Sequence, residues 1–232
     1  MTNGFFITGT DTSVGKTYVA TQIIKAFRQR DYSVSGFKPV ASGGVWVDDR
    51  LENEDAQRMM RESNVDLPYS TVNPYCFEPA IAPHLAAQKN AVEINASRIQ
   101  SAYAEHVSAA DVIIVEGAGG WKVPLGGRLG FDDVALALAL PVVLVVGLKL
   151  GCINHALLSE AAILHKKCRI AGWIGNNLNV EFGEAKENML ALQERMEAPC
   201  IGYFEHQSII RKNSKLRQEN ITKLLDYLVK FR

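Results

Sequence analysis

The segment that most restricts this chain is Gly9-Thr10-Asp11-Thr12-Ser13-Val14-Gly15-Lys16-Thr17, which follows the apolar run Phe5 to Thr8 and opens a stretch of helical character from Lys16 to Arg30. A glycine-bounded loop between a strand and a helix, ending in Gly-Lys-Thr, predicts a P-loop. Its backbone N–H groups and the positive end of the helix converge on phosphate oxygens. The Lys16 ammonium then meets β- and γ-phosphate charge, and the Thr17 hydroxyl suits a magnesium ion. Thr12, Ser13, Val14, Gly15, Lys16 and Thr17 are therefore expected nucleotide contacts. Five residues separate Gly9 from Gly15, where the common pattern has four. The competing reading is a glycine-rich turn with a lysine by chance, which the strand–loop–helix setting disfavours.

The rest of the chain repeats that alternation. Short β-rich runs at Val34 to Lys38, Val112 to Glu116, Val142 to Val146, Ile170 to Ile174 and Cys200 to Tyr203 are interleaved with helical patterns. The latter cover Glu54 to Glu62, Ser97 to Ala109, Phe131 to Leu140, Asn154 to His165, Glu184 to Glu197 and Lys215 to Phe231. Repeated βαβ units of this kind predict an α/β fold whose mainly parallel sheet is flanked by helices on both faces. The continuously apolar Val112 to Val115 and Val142 to Val146 read as central strands. With 232 residues, and no repeat or linker, a single P-loop NTPase domain spanning 1–232 is expected. Residues 67 to 95, with Pro68, Pro74, Pro79 and Pro83, predict a long ordered excursion of the kind that carries function on α/β folds.

Lys+Arg and Asp+Glu number 25 each, so the chain lacks the cationic surplus by which nucleic-acid binders displace counterions, and no nucleic-acid partner is expected. The widely spaced Cys76, Cys152, Cys168 and Cys200 imply neither a disulfide framework nor a zinc site. Val134 to Leu148 is too short to span a membrane and contains Pro141, so no membrane association is expected. The N-terminal residues show no signal-peptide pattern, which makes the cytoplasm the expected compartment.

Carboxylates and lysines at strand ends complete the candidate site. Glu116 closes an apolar strand just before Gly117-Ala118-Gly119-Gly120, where α/β sheets bind ligands and where glycines allow close backbone approach. Magnesium takes hard oxygen ligands, so Thr17, Asp55 and Glu116 form the candidate metal set. Asp55 reads equally well as an acid in the first turn of a helix. Lys38 can hold an anion in the same cleft as Lys16, or be a solvated strand-end lysine. Lys149-Leu150-Gly151-Cys152-Ile153-Asn154-His155 either binds an anion or turns the chain. Asn176 and Asn177 can read a base edge, since an amide offers both donor and acceptor, or simply form a turn.

Taken together, these segments resemble the dethiobiotin synthetases. The resemblance rests on the P-loop, Lys38-Pro39-Val40-Ala41-Ser42-Gly43, Asp55, Thr71-Val72-Asn73-Pro74-Tyr75 with Pro83-His84, Val115 to Trp121, Leu140-Pro141-Val142, Gly147 with Lys149 to His155, and Gly172-Trp173. It implies an ATP-dependent ligase that uses Mg²⁺ and closes a cyclic urea on 7,8-diaminononanoate with CO₂, giving dethiobiotin, ADP and phosphate. On that basis Lys16 and Lys38 are expected to be catalytic. Asp55, Glu116, Gly117, Ala118 and Gly119 join the ATP contacts, while Thr12, Ser42, Gly119, Lys149, Gly151, Cys152, Ile153 and Asn154 are expected at the organic substrate. The last five reach it across the two-fold axis of a homodimer. The chain departs from the family at Ser13, a position often acidic there. It departs again at Gly202-Tyr203-Phe204-Glu205-His206, where the family tends to carry an Ile-Pro element bordering adenine; Asn176 is then the expected base reader. Rival readings are a partition-type ATPase, disfavoured by the missing basic face, and a GTPase, disfavoured because Asn177-Leu178-Asn179 is not a guanine-reading motif. A catalytically silent P-loop protein would be expected to lose Lys16 or the acids.

Overall fold

Strand order decides where the P-loop ends up. The computed structural model describes residues 4–179, 183–206 and 214–231. Its strands are β1 (Gly4–Gly9), β2 (Val34–Phe37), β3 (Val40–Ser42), β4 (Val45–Val47), β5 (Arg50–Glu52), β6 (Tyr75–Phe77), β7 (Val112–Glu116), β8 (Pro124–Gly126), β9 (Leu129–Gly130), β10 (Val142–Leu148), β11 (Ile170–Asn177) and β12 (Cys200–Phe204). Its helices are α1 (Lys16–Arg28), α2 (Glu54–Glu62), α3 (Tyr69–Val72), α4 (Pro83–Lys89), α5 (Ala96–Ala109), α6 (Phe131–Ala137), α7 (Cys152–His165), α8 (Ala185–Arg195) and α9 (Ser214–Phe231).

Six strands form one parallel sheet in the order β12-β11-β10-β1-β7-β2. Side chains alternate across it. In β7, Ile113 and Val115 face one helical layer with α5, α6, α7 and α8, whereas Val112 and Ile114 face the other with α1 and α9. The same alternation sends Leu144 and Val146 of β10 to the first layer, Val143 and Val145 to the second. Residues buried on both faces explain why these strands read as unbroken apolar runs. In sequence, Leu216, Ile221, Leu224, Leu225, Tyr227 and Leu228 give the C-terminal helix an apolar stripe, and Ile221, Leu224, Leu225 and Leu228 are buried against the sheet with Tyr227 beside them. Leu216 lies outside the residues whose side chains are described.

Several boundaries differ from expectation for local reasons. Helix α7 starts at Cys152, two residues before the expected Asn154, because Gly151 takes φ +87° as its N-cap. Helix α6 stops at Ala137 rather than Leu140, since Ala139 turns to φ +52° ahead of Pro141. Strand β2 ends at Phe37, leaving Lys38 just beyond it. The excursion from 67 to 95 is ordered. It contains α3, β6 and α4, and β6 pairs in parallel with β3. Among the described residues no helix is long and apolar enough to cross a membrane.

Candidate active site

All six strands of the main sheet run in parallel, so their carboxyl ends gather along one edge, and the expected site residues gather with them. Between β1 and α1 the loop turns through Ser13 at φ +58° and Gly15 at φ +85°. A Cβ on Gly15 would lie 2.1 Å from Asn176 Nδ2. That amide donates to the Val14 carbonyl at 2.9 Å, so Asn176 braces the back of the loop. Asn177 is buried beside it, its Oδ1 accepting from Asn179 N–H at 3.3 Å.

A cleft of about 710 Å³ opens at this edge, lined by Thr12, Ser13, Gly15, Lys16, Thr17, Lys38, Ser42, Asp55, Glu116, Ala118 and Gly119 among others. Two lysines face into it. Lys16 is 7% exposed and donates to the Asp11 carbonyl at 3.1 Å. Burial, reinforced by the like charge of Lys38, pushes its pKa down to about 8. Lys38 is 3% exposed. Burial also works against its charge, but the carboxylates of Glu116 and Asp55 reverse the effect and hold its pKa above the ordinary lysine value. Its ammonium donates to Glu116 Oε1 at 2.7 Å and to the Gly117 carbonyl at 3.1 Å, with Asp55 Oδ2 at 3.5 Å.

Glu116 therefore sits between the two walls. Its Oε1 accepts from Thr17 Oγ1 at 2.9 Å as well as from Lys38, while its Oε2 is buried with no hydrogen-bond partner. A buried carboxylate oxygen left unpaired is costly unless a ligand completes it. Ser42 Oγ, on the same cleft, is likewise buried and unpartnered. The cluster of a threonine hydroxyl, an unpaired carboxylate oxygen and a nearby aspartate has the hard-oxygen chemistry that magnesium takes. Among the described residues no group of three His, Cys, Asp or Glu is placed to hold a metal ion.

The expected substrate segment after β10 is placed differently. Lys149 to Asn154 lies outside the cleft walls of this chain. Lys149 pairs with Asp11 Oδ2 at 2.8 Å, and this bond, with the Thr12 N–H, holds the Asp11 carboxyl below its usual range. Cys152 is buried, its N–H donating to the Lys149 carbonyl and its thiol to Asn188 Oδ1. Asn154 is exposed. Asn53, Arg58, Val123 and Pro124 also line the cleft without having been among the expected site residues, and Pro83 brings the excursion from 67 to 95 to its wall. Asn53 had a usable signal, an asparagine just before an acidic helix start, and it does cap α2.

The strand–P-loop–helix unit and a polar cleft at the carboxyl edge of a parallel sheet define a P-loop NTPase. Solved structures agree on the fold. MinD from Aquifex aeolicus is similar with a TM-score of 0.62 and 14% identity, covering 98% of this chain and 97% of that one. A ParA family ATPase from Chlorobium tepidum gives 0.56 and 16%, covering 99% and 98%. A family model described as an AAA domain matches residues 3–214. The chain is 49% identical over 199 residues to the ATP-dependent dethiobiotin synthetase of Pseudomonas paraeruginosa, covering 85% of this chain and 87% of the relative. The enzyme of that name from Cellvibrio japonicus is 42% identical over 222 residues, 96% of this chain and 97% of the relative. The chain belongs to the ATP-dependent dethiobiotin synthetase family and is an ATP-dependent ligase.

Proposed function

We propose that the enzyme closes the ureido ring of dethiobiotin from 7,8-diaminononanoate, CO₂ and ATP. One amine adds to CO₂, loses a proton and becomes a carbamate. A carbamate oxygen attacks the γ-phosphorus, releasing ADP and leaving a mixed carbamic–phosphoric anhydride. The second amine then attacks the carbonyl carbon, and inorganic phosphate departs as the ring closes. Nothing here needs a covalent enzyme intermediate; it needs orientation and charge neutralisation.

The observation that carries this reading is Lys38. A nucleotide hydrolase needs a P-loop lysine, whereas this cleft adds a second buried ammonium on the opposite wall, held charged by Glu116 and Asp55 beside the unpartnered Ser42 hydroxyl. That wall suits the carbamate, with Thr12, Ser42 and the Gly117 to Gly119 backbone around it. Lys16, its pKa lowered by burial to about 8, faces the phosphates, and the loop from Thr12 to Thr17 wraps them. Thr17, Asp55 and Glu116 would hold Mg²⁺, which when bound offsets negative charge on the phosphates. Asn176 and Asn177 border the base.

We assign the whole chain to one domain acting as a homodimer. Leu150, 93% exposed, lies within the Lys149–Asn154 segment that the single chain leaves outside its own cleft, and Leu158, 62% exposed, lies one helical turn beyond it, which suits a partner chain covering these residues and receiving that segment.

The test is incubation with the diamine, ATP and bicarbonate, followed by mass spectrometry of the organic product. Product of dethiobiotin mass with stoichiometric ADP is expected; ADP release without it would overturn the reading. Lys16→Gln should fold and lose activity by on the order of 100- to 1000-fold, as when a preorganised donor to developing charge is removed.

A further inference from the structure

Beneath the cleft lies a buried hydroxyl that the proposed chemistry does not use. Tyr69, in α3, is 5% exposed. Its Oη accepts from the Asn53 N–H at 2.6 Å and donates to Asn73 Oδ1 at 2.9 Å. Each partner leads to a different part of the site. Asn53 caps α2, its Oδ1 accepting from the N–H of Asp55 at 3.0 Å and its Nδ2 donating to the Ser42 carbonyl at 3.2 Å. Asn73 Nδ2 donates to the carbonyls of Lys38 at 2.6 Å and Tyr75 at 3.1 Å.

We propose that Tyr69 is a positioning residue that sets the separation of Lys38 and Asp55. This rests on the reading that these two side chains serve the ligase reaction. The orientation of the relay follows from donor arithmetic. Both partners of Asn73 Nδ2 are carbonyls and can only accept, so Oδ1 must face Tyr69, whose single proton goes to this amide oxygen at 2.9 Å in preference to the weaker acceptor Cys76 Sγ at 3.9 Å, and the phenol oxygen is left to accept from Asn53. One hydroxyl thus joins the helix start bearing Asp55 to the strand end bearing Lys38, whose Nζ and Oδ2 stand 3.5 Å apart. The ring that carries this hydroxyl also fills the space under Arg50, whose guanidinium lies 5.0 Å from its centroid. The ring itself, and the bond from the Lys38 N–H to the Val72 carbonyl, remain when the hydroxyl is removed.

The experiment compares Tyr69→Phe, Asp55→Asn and the double variant in the product-forming assay, with crystal structures of the wild type and Tyr69→Phe. Tyr69→Phe should lower kcat about tenfold, a loss typical of slight misplacement in the site, with little change in KM for ATP. The Lys38–Asp55 pair should open in its structure. In the Asp55→Asn background the Tyr69→Phe step should cost much less than it does alone, since both act through one carboxylate. A role in stability alone would lower the melting temperature and multiply fully with Asp55→Asn; full multiplication, or an unchanged Lys38–Asp55 separation, overturns the proposal. Asn73→Ala cuts the relay from the Lys38 side and carries the same test if Tyr69→Phe does not fold. The crystallographic separation stands whatever product the enzyme makes, so failure of the relay and failure of the functional reading are told apart.

Discussion

His106 shows how a residue can hold a site together without touching the chemistry. It is fully buried near the end of α5, with Nδ1 2.6 Å from Ser35 Oγ, Nε2 3.3 Å from the Thr71 carbonyl and its ring 4.7 Å from that of Phe37. A carbonyl can only accept, so Nε2 carries the proton and Nδ1 accepts from Ser35. Burial pushes the pKa down to about 4, against a partial upward pull from the bond to Thr71 and from Glu105. The sign follows directly. Between pH 6.5 and 4 the unfolded chain takes the proton and the folded one refuses it, so this stabilisation is complete above pH 6.5 and is lost as pH falls toward 4. Chemical denaturation should show a loss of about 2 kcal/mol from this group between pH 7 and 4.5. His106→Gln should flatten that part of the profile while being less stable at pH 7; parallel profiles would refute the assignment. The sequence offers no local sign of this role, because a histidine in a helix looks alike whether solvated or buried. Lys16 and Thr17 were legible because Gly-Lys-Thr after a strand has a chemical meaning of its own.

Elements were legible in proportion to their length. The helices α1, α5 and α7 and the strands β7 and β10 carry enough residues for periodicity or an unbroken apolar run to show. Strands β3, β4, β5 and β6 have three residues each, too few for alternation to register. In β4 the pattern misleads, since Val45, Trp46 and Val47 are apolar yet all exposed. The junction of β1 and α1 is where local sequence and long-range packing meet. Gly15 needs its positive φ, and its missing side chain makes room for Asn176 from β11. Gly15→Ala should therefore both strain the backbone and push the loop off its brace. We expect ATP affinity by calorimetry to fall at least tenfold with the circular dichroism spectrum preserved. Asn176→Ala, which vacates the space but keeps the strained φ, should restore part of the loss when combined with it. Equal affinities for the single and double variants would show that the collision does not matter.

At the level of the whole molecule, the sequence implies a parallel sheet but not its order, because the strand at its centre pairs with residues more than a hundred positions away. Strand β1 lies between β10 and β7, and no window of sequence holds that information. The same distance problem governs the Lys149–Asn154 segment. Its position at the carboxyl edge was readable, whereas which cleft it serves was not. In the single chain it stands outside the cleft, with Lys149 on the P-loop aspartate and Asn154 exposed. The proposed substrate carries its carboxylate far from its amines and needs an anion contact well away from the phosphates. A second copy related by two-fold symmetry would bring one, and the symmetry creates two equivalent composite sites. Mixing Lys16→Gln chains with Asn154→Ala chains tests this, once exchange of subunits has been shown. In a hybrid, one cleft combines the intact Lys16 of one chain with the intact Asn154 of the other, and the second cleft lacks both. Equal mixing makes half the dimers hybrid with one good cleft of two, so activity should recover to about one quarter of wild type. If each chain instead serves its own cleft, no hybrid contains an intact site. Recovery absent from verified hybrids, with both parents folded and inactive, would place the segment within its own chain.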